Sequence, residues 1–222
     1  MIDENAPKIE QVPNWRLKEW FPDLNFETHN LLKKYFIELQ KFNKVINLIS
    51  AKSVLHADAL HFADSILASR VVRVNTNKNN YLYDIGSGNG FPGLVYAILY
   101  PDQKMILVDS DQRKCEFLKH TAEALFLKNV IVQNIRIERI SHGSIEQAIC
   151  RGFSPLPKTL LILRKIMQNN GVVYHLKSEE WALEVSHIPI QLCSIWQPAL
   201  EAEYVLPVGG IRMFVVKTSI IN

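Results

Sequence analysis

Two stretches near the start of the chain carry apolar residues at the three- and four-residue spacing of an amphipathic helix. The first starts at Phe26, and its apolar positions are Leu31, Leu32, Tyr35, Phe36, Leu39 and Phe42. The second includes Leu55, Leu60, Phe62, Ile66, Leu67 and Val71, and the polar segment 75–80 follows it. Before them, residues 1–25 hold three prolines and two tryptophans, which predict an irregular lead-in fixed by tryptophan packing. We therefore predict a lead-in and helical cap over residues 1–75.

From Tyr81 the pattern changes to short apolar, β-branched runs that alternate with helical stretches. Runs typical of strands cover 81–85, 104–109, 129–133, 148–150, 171–176, 191–196 and 213–218. The helical stretches between the earlier runs are 92–100, 112–127 and 155–168. This alternation predicts an α/β fold, a mostly parallel sheet with helices on both faces, and the last two strands predict an antiparallel edge. This second unit spans residues 76–222.

Composition restricts the class of protein. Apolar residues make up 48% of the chain and charged residues 21%, and the net charge of +3 is compatible with a nucleic-acid partner. No apolar run approaches the roughly 18–20 residues that span a bilayer, and the acidic, polar N-terminus is unlike a signal peptide. We expect a cytoplasmic protein with no membrane association. Three scattered cysteines without a CxxC pair predict neither a disulfide framework nor a metal site.

The sequence YLYDIGSGNGFPG joins the first predicted strand to the helix after it. Glycines alternate at 86, 88 and 90, and Pro92 suits the start of a helix because its missing N–H would have no partner there. Glycine is needed where the backbone adopts positive φ or where a ligand approaches closely. The loop lies at the carboxyl end of a strand, where open α/β sheets bind ligands. We therefore expect Gly86 and Gly88 to contact a ligand.

The spacing of these glycines distinguishes between two adenosyl ligands. A dinucleotide site requires GxGxxG directly after the strand, but the sixth position counted from Gly86 is Phe91. The observed GxGxG suits a cationic ligand without phosphate, whose amino group or bound water Asp84 could orient. Asp109 ends the next strand, where an acid accepts the hydroxyls of a ribose. Asp109 fits both NAD and S-adenosylmethionine, and Phe91 disfavours the dinucleotide.

The end of the fourth predicted strand, AICRGF, indicates which methyl acceptors are disfavoured. It lacks the Asp/Asn-Pro-Pro-aromatic sequence that holds an exocyclic amine for N6 or N4 methylation. Cys150 has no proline before it, which argues against a thiolate that attacks C5 of cytosine. Arg151 lies at the mouth of the site, where it could pair with a cofactor carboxylate or a substrate phosphate.

Seven short motifs follow one another along the chain, and together they are more specific than any single glycine loop. They are NKVINLIS at 43–50, HFADS at 61–65, DIGSGNGFPG at 84–93, LVDSDQRKCEFL at 107–118, Arg136-Ile-Glu138, Cys150-Arg-Gly-Phe and His175-Leu-Lys177. This series resembles the glucose-inhibited division protein B family of bacterial small-subunit rRNA (guanine-N7) methyltransferases, over roughly residues 30–217. The chain departs from the family's usual GTGPGLPG loop, and from its usual residues at Glu146, Cys150, Gly152 and Ser178.

The resemblance implies a Rossmann-like, seven-stranded class I methyltransferase sheet preceded by an N-terminal helical extension. It implies S-adenosyl-L-methionine as cofactor and N7 of a guanine in 16S rRNA as acceptor, with 16S rRNA, the 30S subunit or an assembly intermediate as partner of a monomer. The family's cofactor contacts fall on Gly86, Phe91, Ile137, Glu138 and Arg151, and the loop and strand positions discussed above add Gly88 and Asp109. The candidates for contact with RNA are Arg136, Lys177 and Arg212, with lysines of the extension behind them.

The chemistry of guanine N7 explains why no catalytic residue is assigned. N7 already carries an in-plane lone pair, so the enzyme needs to orient the reactants and not to remove a proton. Two alternatives stay open at this point. A small-molecule S-adenosylmethionine-dependent methyltransferase would share the loop but would not methylate ribosomal RNA. A non-enzymatic nucleotide-binding regulator would bind NADH instead of S-adenosylmethionine.

Overall fold

The computed structural model describes residues 13–221, so residues 1–12 of the predicted lead-in lie outside it. Its centre is a seven-stranded sheet with the order β3-β2-β1-β4-β5-β7-β6. The strands are β1 (Leu82–Ile85), β2 (Met105–Asp109), β3 (Val130–Asn134), β4 (Ile145–Arg151), β5 (Met167–Lys177), β6 (Trp196–Val205) and β7 (Arg212–Ile220). Neighbouring strands are parallel except at β7, which is antiparallel to both β5 and β6. The predicted α/β class and antiparallel edge are confirmed.

Helices of the N-terminal extension precede the sheet. They are α1 (Leu17–Trp20), α2 (Phe26–Asn43), α3 (Ala51–Val54) and α4 (Asp64–Asn75), with a π-helical turn at Asp58–Ala63. Trp15 stacks on Phe36 of α2 with ring centroids 4.9 Å apart, which confirms tryptophan packing in the lead-in. Tyr35 and Phe62 belong to the same hydrophobic cluster as Leu82 of β1. The extension and the sheet therefore share one core, and the domain division after residue 75 stays a prediction.

The helices after β1 lie between consecutive strands. They are α5 (Gly93–Leu99), α6 (Gln112–Ala124), α7 (Leu156–Leu163), α8 (Trp181–Ser186) and α9 (Ile190–Cys193). Asp111 caps α6, because its carboxylate accepts hydrogen bonds from the backbone N–H groups of Arg113 and Lys114. The helix predicted over 155–168 is shorter, since Met167 already begins β5. Within residues 13–221, no helix is long and apolar enough to cross a membrane.

The strand predicted at 191–196 is wrong. Its first residues belong to α9, and β6 begins only at Trp196. Leu192 in α9 and Trp196 in β6 are both buried, so the apolar run is divided between the end of a helix and the start of a strand. Within the described part of the chain, β6 pairs with β7 alone, contains Pro198 and leaves most of its side chains at least partly exposed. An edge strand of this kind lacks the apolar run by which buried strands are recognised.

Candidate functional site

The carboxyl ends of β1, β2 and β4 border a cavity of about 610 Å³. The chain passes from β1 to β2 and β3 on one side and returns to β4 on the other, so the cavity lies where the strand order reverses. Its wall consists of Leu48, Gly86, Gly88, Asn89, Phe91, Val108, Asp109, Ser110, Lys114, Ile135, Arg136, Ile137, Glu138, Arg151, Gly152 and Phe153. The structure thus brings together the seven predicted cofactor contacts, which are Gly86, Gly88, Phe91, Asp109, Ile137, Glu138 and Arg151.

The glycine loop uses backbone conformations that favour glycine. Gly86 has a φ of +70° and Gly88 a φ of +53°. A Cβ atom on Gly86 would lie 2.7 Å from Cδ2 of Phe153, which is too close for a side chain. The Gly86 N–H donates to the Val108 carbonyl at 2.9 Å and ties the loop to the end of β2. The alternating glycines therefore have a steric cause, and they leave this part of the wall without side chains.

Asp84 lies beneath the loop and is 1% exposed. Its Oδ2 accepts a hydrogen bond at 3.1 Å from the N–H of Gly93, the first residue of α5. Burial raises the pKa of Asp84 to about 7, against the opposing effects of its hydrogen bonds and the charge of Arg151. Asp84 is not part of the cavity wall. The orientation of a ligand amino group or bound water by Asp84 stays a prediction, and the structure shows this carboxylate holding the start of α5 beneath the loop.

Asp109 is fixed at the end of β2 by two backbone N–H groups. Its Oδ2 accepts from Gly88 at 2.8 Å, and its Oδ1 accepts from Asp111 at 2.8 Å. Each carboxylate oxygen can accept a further hydrogen bond, so the group keeps capacity for two ligand hydroxyls. Because Asp111 caps α6, Asp109 is not needed for that purpose. Its geometry suits the predicted contact with a ribose.

Phe91 and Arg151 link the cavity wall to the N-terminal extension. The Phe91 ring is buried, and its centroid lies 5.0 Å from that of Tyr35 and 5.2 Å from that of His61. The guanidinium carbon of Arg151 lies 5.3 Å from the Phe91 centroid. Nη1 of Arg151 also donates to Oδ2 of Asp64 at 2.8 Å. Helices of the extension therefore position both residues at the wall.

The 3-10 turn Ile137–Arg139 follows β3 and supplies the facing part of the wall. Ile137 is buried, whereas the neighbouring Arg136 and Glu138 are exposed. An apolar side chain can pack against a purine ring, and a carboxylate beside it can accept a hydrogen bond from the amino group of that ring. This arrangement fits the cofactor contacts that the resemblance implies for Ile137 and Glu138.

The family model for rRNA small subunit methyltransferase G, GidB, matches residues 28–196. The chain belongs to this family. "Ribosomal RNA small subunit methyltransferase G 3" of Bdellovibrio bacteriovorus is 50% identical over 217 residues, which are 98% of each chain. "Ribosomal RNA small subunit methyltransferase G" of Paracoccus denitrificans is 34% identical over 148 residues, 67% of this chain and 75% of the relative.

A solved structure supports the fold of this methyltransferase. A SAM-dependent methyltransferase from Aquifex aeolicus superposes with a TM-score of 0.56 over 84% of this chain and 98% of that one, at 14% identity. This likeness shows a shared fold. Together with the family match, it confirms the class I methyltransferase fold and the S-adenosylmethionine-dependent enzyme class that the sequence predicts.

Two predicted RNA contacts of the methyltransferase lie away from the cavity wall. Lys177 is largely buried, and its Nζ donates to Oε2 of Glu184 at 2.6 Å. Arg212 is half exposed, and its Nε donates to Oε1 of Glu203 at 2.7 Å. Of the three predicted contacts, the structure brings only Arg136 together with the cofactor residues.

The wall of the methyltransferase also contains residues that sequence reasoning does not single out. Leu48 reaches it from the segment between α2 and α3, and Asn89 from the glycine loop. Nδ2 of Asn89 donates to the Leu48 carbonyl at 3.0 Å, and the Tyr35 hydroxyl donates to the Asn89 carbonyl at 2.6 Å. The available signal for Leu48 is its place in the motif NKVINLIS, which carries the resemblance but no assigned chemistry.

Cys150 of the methyltransferase is not a nucleophile in this environment. Its buried Sγ lies 3.1 Å from Nδ1 of His175. Burial raises the pKa of the Cys150 thiol to about 12 and lowers the pKa of His175 to about 3, so both side chains are neutral. This agrees with the argument against a thiolate that attacks a pyrimidine. Residues 13–221 contain no cluster of three or more His, Cys, Asp or Glu side chains suited to a metal.

Proposed function

We propose that this chain transfers the methyl group of S-adenosylmethionine to N7 of a guanine in 16S rRNA. Membership of the family supports the RNA substrate. The observation that carries the proposal is the single cavity wall that holds all the expected cofactor residues. The series of sequence motifs supports guanine N7 as the acceptor atom. We further propose that the enzyme acts in the cytoplasm as a monomer, because one chain supplies every expected cofactor contact.

The cavity fits the proposed cofactor. Asp109 would accept hydrogen bonds from the ribose hydroxyls, because it keeps two acceptor positions beyond its backbone partners. Ile137 and Glu138 would hold the adenine. Arg151 would pair with the carboxylate of the methionine part, next to the segment of the wall where Gly86 has no side chain. When bound, S-adenosylmethionine supplies a methyl group that the positive charge on sulfur makes electrophilic.

The side chains of the cavity suit a reaction that requires no proton removal. Guanine N7 attacks through its own lone pair, and orientation of such a pair of reactants can be worth about 7–11 kcal/mol. The neutral Cys150 and the buried Asp84 are not required as nucleophile or base. The methylated guanine gains positive charge. The exposed carboxylate of Glu138, in the cavity wall, would stabilise this charge.

The three candidate RNA contacts differ in how available their side chains are to a phosphate. Arg136 is exposed in the cavity wall. It would bind a phosphate next to the target guanine, and the guanine would be splayed out of a single-stranded loop. Arg212 could exchange its surface partner Glu203 for a phosphate at small cost. Lys177 would have to give up a largely buried ion pair, so its role in RNA binding has the weakest support.

Transfer of tritium from methyl-labelled S-adenosylmethionine to RNA tests the proposal. The substrates are deproteinised 16S rRNA and 30S subunits, both from cells that lack the enzyme. We expect label in at least one of them, and nucleoside analysis should find it in 7-methylguanosine. Label in another nucleoside would contradict the acceptor atom, and no label in either substrate would favour a small-molecule enzyme. Calorimetric binding of NADH but not of S-adenosylmethionine would instead favour a nucleotide-binding regulator.

A further inference from the structure

The guanidinium of Arg151 has one carboxylate partner among the described residues, and this partner comes from the N-terminal extension. Nη1 donates to Oδ2 of Asp64 at 2.8 Å and to the Leu60 carbonyl at 3.4 Å. Nη2 lies 3.1 Å from Nδ1 of His61. The side chain of Arg151 is 16% exposed and that of Asp64 is 2% exposed. Because the pair is largely removed from water, salt screens its attraction only weakly.

Asp64 is itself held in place by a residue on β6. The Tyr204 hydroxyl donates to Oδ1 of Asp64 at 2.6 Å, so each carboxylate oxygen has a partner. Burial, and then the charge of Asp64, raise the pKa of Tyr204 well above its ordinary value. Tyr204 therefore keeps the proton that it donates. Asp64 cannot turn away from Arg151 without losing this second hydrogen bond.

Asp64 also supplies most of the negative charge in this cluster. The imidazole of His61 is neutral, because burial and the nearby charge of Arg151 lower its pKa to about 3. Phe91 offers only the face of its ring, 5.3 Å from the guanidinium carbon. Asp84 interacts with the charge of Arg151, but its own pKa of about 7 leaves it only partly ionised near neutral pH. Without Asp64, Arg151 would therefore have no ion-pair partner among the described residues.

A cation in the wall affects the two forms of the cofactor differently. S-adenosylmethionine has a positive charge on sulfur, whereas its product S-adenosylhomocysteine is a neutral thioether. The carboxylate that Arg151 would bind is common to both, so its contribution cancels when the two affinities are compared. An unpaired Arg151 would thus weaken binding of the cofactor more than binding of the product.

We propose that Asp64 is a specificity-determining residue, whose carboxylate neutralises Arg151 so that the cavity accepts the sulfonium cofactor without favouring the thioether product. Tyr204 is the positioning residue that holds this carboxylate. The inference rests on the proposed cofactor site, and it adds a residue outside the cavity wall. It also gives the N-terminal extension a part in cofactor binding.

Calorimetric titration of the full-length variants with S-adenosylmethionine and S-adenosylhomocysteine tests this inference. In Asp64→Asn, the Kd for S-adenosylmethionine should rise by about fivefold or more relative to the Kd for S-adenosylhomocysteine. Tyr204→Phe is the matched control, since it removes a hydrogen bond of Asp64 but no charge. We expect it to weaken both ligands by similar factors. In Arg151→Gln both ligands should bind more weakly, but the ratio of the two Kd values should shift in favour of S-adenosylmethionine.

Asp64→Asn and Arg151→Gln each remove one charge of the pair, so either variant can test the inference if the other folds poorly. Thermal unfolding would reveal poor folding. An unchanged ratio of Kd values in Asp64→Asn, or in Arg151→Gln if only that variant folds, would overturn the role of Asp64. Failure of the wild-type protein to bind S-adenosylmethionine would instead overturn the proposed cofactor site. Wild-type binding of the cofactor without methylation of rRNA would contradict the RNA substrate alone.

Discussion

The side-chain amide of Asn89 donates a hydrogen bond at 3.0 Å to the backbone carbonyl of Leu48, 41 residues earlier in the chain. Both residues belong to the cavity wall. This bond ties the segment between α2 and α3 to the glycine loop. The family usually has proline at position 89, which could not make this bond because it has no side-chain donor. The family's usual loop sequence therefore lacks this link to the segment between α2 and α3.

We expect Asn89→Ala to weaken cofactor binding by loosening Leu48 at the cavity. Loss of one hydrogen bond of about 0.5–1.5 kcal/mol corresponds to a two- to twelvefold rise in Kd. Stopped-flow fluorescence should show the change mainly as faster dissociation of S-adenosylhomocysteine. Asn79→Ala is the matched control, because Asn79 is exposed in the loop before β1, whereas the wall lies at the other end of that strand. Equal dissociation rates for the two variants would contradict a clamp at Leu48.

Asp109 should discriminate between ligands by their ribose hydroxyls. Asp109→Asn keeps one carbonyl oxygen for Gly88 but replaces an acceptor with a donor and removes the charge. We expect binding of S-adenosylhomocysteine to weaken by about ten- to hundredfold, since hydrogen bonds to charged groups are worth about 1.5–3 kcal/mol. Binding of its 2′-deoxy analogue should change much less. If calorimetry gave equal losses of affinity for the two ligands, Asp109 would not contact the 2′-hydroxyl.

Local sequence predicts which residues meet at the cavity wall, because many of them lie at short spacings after the strands. The glycines, Phe91 and Asp109 lie at strand ends that hydrophobic runs already locate. The pairing of Asp64 with Arg151 spans 87 residues, and it depends on how α4 packs against the end of β4. No periodicity encodes such a pairing. For the same reason, the sequence motifs do not predict that Leu48 belongs to the cavity wall.

The misplaced strand and the displaced RNA candidates have related causes. β6 lies at an edge and leaves most of its side chains at least partly exposed, so it lacks the apolar pattern of a buried strand. Lys177 and Arg212 are basic residues near the ends of β5 and β7. Their side chains are directed by Glu184 and Glu203, which come from other elements. A sequence shows a charge, but its partner depends on tertiary packing.

The buried carboxyl of Asp84 should make stability depend on pH. Its pKa is about 7 in the folded protein and 3.8 in an exposed chain. Between these values the folded state keeps a proton that the unfolded state has lost, so raising the pH favours unfolding. Asp84→Asn lacks this titration. Relative to wild type, its free energy of unfolding should increase by up to about 1.4 kcal/mol per pH unit, which amounts to roughly 2 kcal/mol from pH 5 to pH 7.

Urea unfolding at several pH values between 5 and 8 measures this difference. The increase should level off above pH 7, where Asp84 is ionised in both states. Asp102→Asn is the control, because the pKa of that exposed carboxyl is lowered by Arg73 and its titration ends below this range. A constant difference between Asp84→Asn and wild type would show that burial does not hold the proton on Asp84.

Lysines on α2 and after it should contribute to RNA binding by pairing with phosphates. Lys41 and Lys44 are exposed beside a groove that Ile49 and Val54 also line, and Lys41 donates to Glu38 at 2.6 Å. We expect Lys41→Glu with Lys44→Glu to weaken binding of 16S rRNA by tenfold or more. The slope of log Kd against log salt should fall by about 0.7 for each phosphate that the variant no longer binds.

Filter binding at several salt concentrations measures both quantities. The matched control is Lys104→Glu with Lys128→Glu, which makes the same change in charge at the opposite edge of the sheet. Lys104 and Lys128 are exposed just before β2 and β3, whereas the cavity lies where these strands end. The control should lower RNA affinity slightly through net charge and keep the wild-type slope. If both pairs changed the affinity and the slope equally, the groove on α2 would not be a docking site, and the effect of its lysines would be that of net charge alone.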